Sequence, residues 1–177
     1  NAALFDINPI INNISCFGEN DGSIQLNING GIQPLNILWN DDPTAGLNRN
    51  NLSPGTYSVT ITDGSGCVIE EDINIIEPQE LSLSGLITNA TDCDNPESGS
   101  IDLQVSGGTA PYSFIWSNGS TQEDIENLIA NNYNVIVTDS NGCKAEKSFA
   151  INRQDDLEIN LETELYAICE TREVYQK

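Results

Sequence analysis

Five cysteines and a surplus of carboxylates are the side chains of this 177-residue chain best placed to do chemistry. Cysteine offers disulfide bonding, metal ligation or nucleophilic attack, and spacing separates these uses. The cysteines stand at Cys16, Cys67, Cys93, Cys143 and Cys169. None belongs to a C-x-x-C pair, which argues against a zinc knuckle or a thioredoxin-like site. Cys16 and Cys67 are 51 positions apart, and Cys93 and Cys143 are 50 apart. Matched gaps in a chain that repeats itself read as one disulfide per repeat, Cys16–Cys67 and Cys93–Cys143, in an oxidising compartment. Each closure contributes roughly 4 kcal/mol in the chain-entropy model. That matters for β units of about 75 residues, whose cores are modest. Cys169 is left unpaired.

The acids number 27 against 6 basic residues, for a formal charge of −21, and there is no histidine. So acidic a chain repels phosphates, which excludes nucleic acid and disfavours anionic membrane surfaces. The absence of histidine removes His-based catalysis and His metal ligands. Carboxylate pairs such as Asp41–Asp42 and Glu70–Glu71 fall in loops or on outward strand faces. Glycoside hydrolysis needs two acids at a fixed separation in a cleft, and nothing signals one. The expectation is therefore a non-enzymatic chain without a cofactor. Calcium is the ligand that carboxylates invite. Asp63 and Asp139 open Asp-x-x-Gly turns that lack the alternating oxygens of an EF-hand loop. They read as Asx-type turn caps. Glu77 and Glu80, and further on Asp155 and Asp156 with Glu158, are the calcium candidates, placed to bridge neighbouring units. Asn13, Asn51, Asn89 and Asn118 each begin an N-x-S/T triplet, which chance explains in a chain this rich in Asn.

The elements that must position these groups announce themselves as a repeat. Gly55-Thr56-Tyr57-Ser58-Val59-Thr60-Ile61-Thr62-Asp63-Gly64-Ser65-Gly66-Cys67 returns as Asn131-Asn132-Tyr133-Asn134-Val135-Ile136-Val137-Thr138-Asp139-Ser140-Asn141-Gly142-Cys143. Each copy is an alternating strand, a tight turn and a cysteine. Upstream, Ile24, Leu26 and Ile28 alternate with polar residues, as do Ile101, Leu103 and Val105. Gly30-Gly31 and Gly107-Gly108 then break the strand where a turn needs free backbone angles. Leu35, Ile37 and Trp39 form the next strand, matched by Tyr112, Phe114 and Trp116. The polar stretches 40–51 and 117–127 read as loops, with Ser120 and Glu123 placed to cap one helical turn. Ile69, Ile73 and Ile75 end the first copy, and Phe149 and Ile151 the second. The domains expected are 1–79 and 80–154, each a β-sandwich repeat, then 155–177, the start of a truncated or divergent third. That tail reads as a lone strand or a poorly ordered end.

Short alternating strands with frequent turns indicate an all-β fold of tandem immunoglobulin-like β-sandwich repeats. In that plan Trp39 and Trp116 are core, and Tyr57 and Tyr133 are corner tyrosines bonded back to main chain. No stretch reads as a signal peptide, and none is apolar for long enough to span a membrane. With Asn1 first and no methionine, the chain reads as a fragment of a longer one.

Cys16-Phe17-Gly18-Glu19-Asn20-Asp21-Gly22-Ser23-Ile24, then Gly30-Gly31, Pro34, Trp39, and Gly55-Thr56-Tyr57 through Thr62-Asp63 to Gly66-Cys67 resemble the SprB-type repeat of gliding-bacterium adhesins. The second copy departs from it at 94–98 and lacks Gly-Thr before Tyr133. The resemblance implies a secreted, cell-surface protein, and a part in surface adhesion and gliding motility within a long filament of repeats. Partners are then neighbouring repeats of the same chain, and an extracellular surface or glycan. Two alternatives stand beside it: a glycan- or protein-binding module read by loops 40–51 or 117–127, and a spacer of a secreted multidomain enzyme.

Overall fold

The first repeat runs through six strands: β1 (Asp6–Asn12), β2 (Gly22–Asn29), β3 (Asn36–Trp39), β4 (Asn48–Leu52), β5 (Gly55–Thr62) and β6 (Val68–Ile75). The second repeats them as β7 (Ser82–Thr88), β8 (Gly99–Ser106), β9 (Ser113–Trp116), β10 (Ile125–Leu128), β11 (Asn131–Thr138) and β12 (Lys144–Ile151). The structure, a computed structural model, describes residues 5–90, 96–153, 165–167 and 174–176. No helix occurs among the described residues.

Each repeat folds into two three-stranded antiparallel sheets. In the first these are β1-β2-β4 and β3-β5-β6; in the second, β7-β8-β10 and β9-β11-β12. The same order appears in an immunoglobulin sandwich as strands A-B-E and C-F-G, here without a strand D. The fold class read from the sequence is therefore the one observed. Alternation explains which faces are buried. Ile24 and Leu26 of β2 are buried, as are Val59 and Ile61 of β5, and they enclose Trp39. The second repeat buries Ile101, Leu103, Val135 and Val137 around Trp116. The first glycine of each second strand sits where strands close. A Cβ on Gly22 would lie 2.8 Å from Ile75 Cγ2, and one on Gly99 would lie 2.8 Å from Ile151 Cγ2.

Three local expectations are corrected. Stretches 40–51 and 117–127 are not loops throughout, because β4 begins in the first at Asn48 and β10 in the second at Ile125. β4 reads Asn-Arg-Asn-Asn-Leu, which shows no apolar alternation. Its pairing with β2 carries a register shift, and Asn51 beside it has φ 56°. Asn127 in β10 has φ 57°, again at a shifted register. Asparagine tolerates this left-handed backbone better than most residues, so the bulge recurs on the same residue type. Second, Ser120 caps no helix; its Oγ accepts from Gln122 N and its N–H donates to Asn118 Oδ1. Third, the tail is not a lone strand. β13 (Leu165–Ala167) and β14 (Val174–Gln176) pair antiparallel, while the remainder of 154–177 lies outside the described residues.

By contacts the chain divides into two compact units. The first is Asn1–Leu81 with Gly107–Ala110 and Ser140–Cys143; the second is Ser82–Ser106, Pro111–Asp139 and Lys144–Lys177.

Candidate functional site

The turn after β5 is built around Asp63. Its Oδ1 accepts from Ser65 N at 2.9 Å, Ser65 Oγ at 2.6 Å and Cys67 N at 2.9 Å. Its Oδ2 accepts from Ile32 N at 3.0 Å. Main-chain bonds from Asp63 N to Cys67 O and from Gly66 N to Asp63 O tighten the same turn. Gly66 takes φ 87°, a left-handed angle that glycine adopts without strain. Asp63 is only 4% exposed. The Ser65 hydroxyl first, and then the Ile32 N–H, lower its pKa to about 2, against an opposing effect of burial. A carboxylate has about four lone-pair sites. Four donors already occupy Asp63, which leaves it ill-suited to a cation. Asp139, at the same place in the second repeat, is 5% exposed. Beside it, Ser140 N and Oγ each donate to Thr109 O at 2.9 Å.

The cysteines pair differently from the expectation. Cys16 is bonded to Cys143, across a sequence separation of 127. Cys67 is a free thiol, half-buried. The bonds Cys16–Cys67 and Cys93–Cys143 are therefore replaced; Cys93 and Cys169 themselves lie outside the described residues. The reason lies in the periodicity. Both cysteine types recur with every repeat, so equal spacing fits pairing within a repeat and pairing across to the next equally well. Around the bond, Asn141 Nδ2 donates to Ser15 O at 3.0 Å and to Thr109 Oγ1 at 3.2 Å. Ser15 N in turn donates to Asp21 Oδ1 at 3.0 Å, and the Ser15 bonds lower the Asp21 pKa.

Both tryptophans anchor the stretch that follows them. Trp39 Nε1 donates to Gly46 O at 3.0 Å, and Trp116 Nε1 to Gln122 O at 2.9 Å. Both tyrosines reach back four residues: Tyr57 Oη donates to Ser53 O at 2.8 Å and Tyr133 Oη to Ile129 O at 3.1 Å. That is the tyrosine-corner geometry of immunoglobulin-like domains. In the first repeat Arg49 lies 4.8 Å from the Trp39 ring centroid and 5.0 Å from that of Tyr57. It forks onto Asp41 at 2.7 and 2.6 Å, and this bonding lowers the Asp41 pKa. Asp42 is bonded to Thr44 N and Oγ1. The two acids of this pair thus face separate partners.

Two asparagines that sequence reading passed over as N-x-S/T triplets join the ends of each repeat. In the first, Ile14 N donates to Ile76 O at 3.0 Å and Ile76 N to Asn13 Oδ1 at 3.1 Å. In the second, Ala90 N donates to Asn152 O at 3.1 Å and Asn152 N to Asn89 Oδ1 at 3.0 Å. Each clasp ties the segment after the first strand to the segment after the last. The recurrence of Asn at equivalent places was the available signal. Of the calcium candidates, Glu77 Oε2 accepts from Gly18 N at 3.1 Å. Glu80 is exposed, and Asp155 and Asp156 lie outside the described residues. Among the described residues no three His, Cys, Asp or Glu side chains group to hold a metal. No helix among them is long and apolar enough to cross a membrane.

No curated protein matches the chain. Among solved structures, a crystal structure of Down Syndrome Cell Adhesion Molecule (DSCAM) isoform 1.30.30, N-terminal eight Ig domains, aligns with TM-score 0.45 at 12% identity. The alignment covers 86% of this chain and 25% of that one. A structure of an amphioxus IgVJ-C2 molecule aligns with TM-score 0.35 at 14% identity, over 85% of this chain and 97% of that one. The family model described as SprB repeat matches residues 8–44 and 87–121. One matched segment thus falls in each of the two repeats of this chain.

Proposed function

We propose that this chain is a non-catalytic, force-carrying segment of an adhesin-type repeat protein, secreted to the cell surface and contributing to adhesion and gliding. The observation that carries this reading is the clasp. Chain enters each repeat through its first strand and leaves through its last. Tension applied at those ends loads the bonds that Asn13, Ile14 and Ile76 make in the first repeat, and Asn89, Ala90 and Asn152 in the second. Such bonds must break together before the sandwich opens. The charge of −21 keeps neighbouring segments apart. The SprB matches support the adhesin class.

Single-molecule pulling tests the reading. The Asn89→Ala variant is expected to unfold the second repeat at clearly lower force. Asn118→Ala, outside the clasp, is expected to leave it unchanged. Equal unfolding forces for wild type and Asn89→Ala would remove the mechanical role.

A second reading has its own observation. Ile10, Asn12, Ser23, Ile24, Gln25, Asn48 and Asn50 line a shallow depression on the β1-β2-β4 sheet. Neutral amides and a hydroxyl beside two isoleucines suit an uncharged sugar. A glycan array, repeated with Asn48→Ala, decides whether this face binds.

A further inference from the structure

We propose that the last strands of the two repeats form a docking surface between copies of this chain, the acidic edge of β6 in one copy lying along the lysine-bearing edge of β12 in another. The inference goes beyond the mechanical reading and does not depend on it.

β6 and β12 are equivalent strands, and each stands at the edge of its sheet, beside β5 and β11 respectively. The residues just past each strand are taken up by the clasp, Ile76 in the first repeat and Asn152 in the second. The opening halves, 68–72 and 144–148, differ. Among the described residues they make no main-chain bond beyond the ladders to β5 and β11. Each therefore leaves a row of main-chain donors and acceptors on its open side. None of their side chains is buried.

The two open edges carry opposite charge. β6 opens Val68-Ile69-Glu70-Glu71-Asp72, and β12 opens Lys144-Ala145-Glu146-Lys147-Ser148. The first holds acids alone; the second holds two lysines and one acid. The sign reverses at a matched position: Glu71 is paired with Val59, and Lys147 with Val135 at the same place in the second repeat. Lys144 likewise stands where β6 has Val68, each paired with a threonine, Thr138 or Thr62. Among the described residues neither lysine forms a salt bridge; the cation that does is Arg49, with Asp41.

Charged side chains on an edge strand commonly prevent pairing. Here they select a partner. Two β6 edges would set acid against acid, which destabilises cross-strand neighbours, whereas β6 against β12 sets opposite signs together. Elsewhere the net charge of −21 holds copies apart, so this strip is where they can meet. Aliphatic side chains border it. Val68 is 54% exposed on β6, and Ile136, 38% exposed, is paired with Glu146 of β12.

The native chain, half of it labelled with nitrogen-15, is held at about 1 mM, the effective concentration a short linker supplies. A carbodiimide then joins each lysine amine to a carboxylate in contact with it, and peptide mass spectrometry separates links between chains from links within one. The expected links join Lys144 or Lys147 of one copy to Glu70, Glu71 or Asp72 of another. Sedimentation of the untreated sample reads the association itself. Glu71→Lys is expected to abolish it, although that change lowers the net negative charge, and so is Lys147→Glu. Both changes in one chain are expected to restore it, since the signs are then exchanged rather than lost. The proposal is overturned by a chain that stays monomeric at this concentration, by links that fall only within one chain or on other acids, or by association that Glu71→Lys leaves unchanged.

Discussion

Around Trp39 the first repeat places an ion pair, and around Trp116 the second places an isoleucine. Arg49 and Ile125 hold the same position, each paired across the sheet with the core isoleucine of the second strand, Ile24 or Ile101. Arg49 stacks on Trp39 and Tyr57 and is neutralised by Asp41. Ile125 is simply buried, and Asn118 stands two residues after Trp116, where the first repeat has Asp41 after Trp39. The difference shows that the plan specifies a covered tryptophan and leaves open how it is covered. A flat cation with an aliphatic stem and an apolar side chain meet that need alike.

The tryptophan itself should then matter most, in both repeats. Trp39→Ala and Trp116→Ala are each expected to cost about 3–5 kcal/mol, as large-to-small core changes do. Chemical denaturation read by circular dichroism, with the fluorescence of the remaining tryptophan reporting the untouched repeat, assigns each loss to its repeat. If Trp39→Ala cost under about 1 kcal/mol, the Arg49 stack would be holding the site without the ring.

Exchanging the coverings tests the comparison next. Ile125→Arg places a cation where Asn118 stands in place of Asp41, and an uncompensated buried charge costs about 3–5 kcal/mol. Adding Asn118→Asp is expected to recover part of that loss, because it recreates the Asp41 arrangement. Absence of any recovery in denaturant melts would mean that the loop geometry, not the charge, differs between repeats.

The Asp63 turn gives a pH test. Asp63 has its pKa lowered from 3.8 to about 2. The stabilisation linked to that shift is fully present above the unfolded value and is lost as pH falls through the folded one. The first repeat should therefore weaken between about pH 4 and pH 2. Asp63→Asn should flatten that limb, measured as the denaturant midpoint against pH.

How much of this was legible follows from what each residue needed to announce itself. Strands such as Ile24-Gln25-Leu26 were visible because one face is buried and period two results. β4 was not, because its inward position is Arg49, whose guanidinium lies over the Trp39 and Tyr57 rings while its charge reads as solvent-facing. The Asp63 turn showed its geometry through Asp-x-x-Gly, whose side-chain and glycine requirements are local. The disulfide did not, since a bond across 127 residues is a property of tertiary structure and equal spacing is blind to it. The clasp asparagines were masked by a second meaning of the same letters.

The corner tyrosines come lower in the ranking of effects. Tyr57→Phe and Tyr133→Phe each remove one hydroxyl bond and are expected to cost about 1 kcal/mol. The loss should be similar in both repeats, since the bonds to Ser53 O and Ile129 O are alike.

The smallest effect sharpens the comparison furthest. Arg49→Ile gives the first repeat the covering of the second. The Arg49 side chain is 9% exposed and that of Asp41 46%, so the acid can return to water when its partner leaves. Replacing a largely buried ion pair with an apolar group of similar size is often neutral or better. The change is therefore expected to fall within about 1 kcal/mol of wild type. It should also reduce the dependence of stability on salt, since the exposed end of the pair is what ions screen. A loss near 3 kcal/mol or more would show instead that the guanidinium fork onto Asp41 shapes the stretch after Trp39. The two repeats would then differ in architecture there, and not only in what covers the ring.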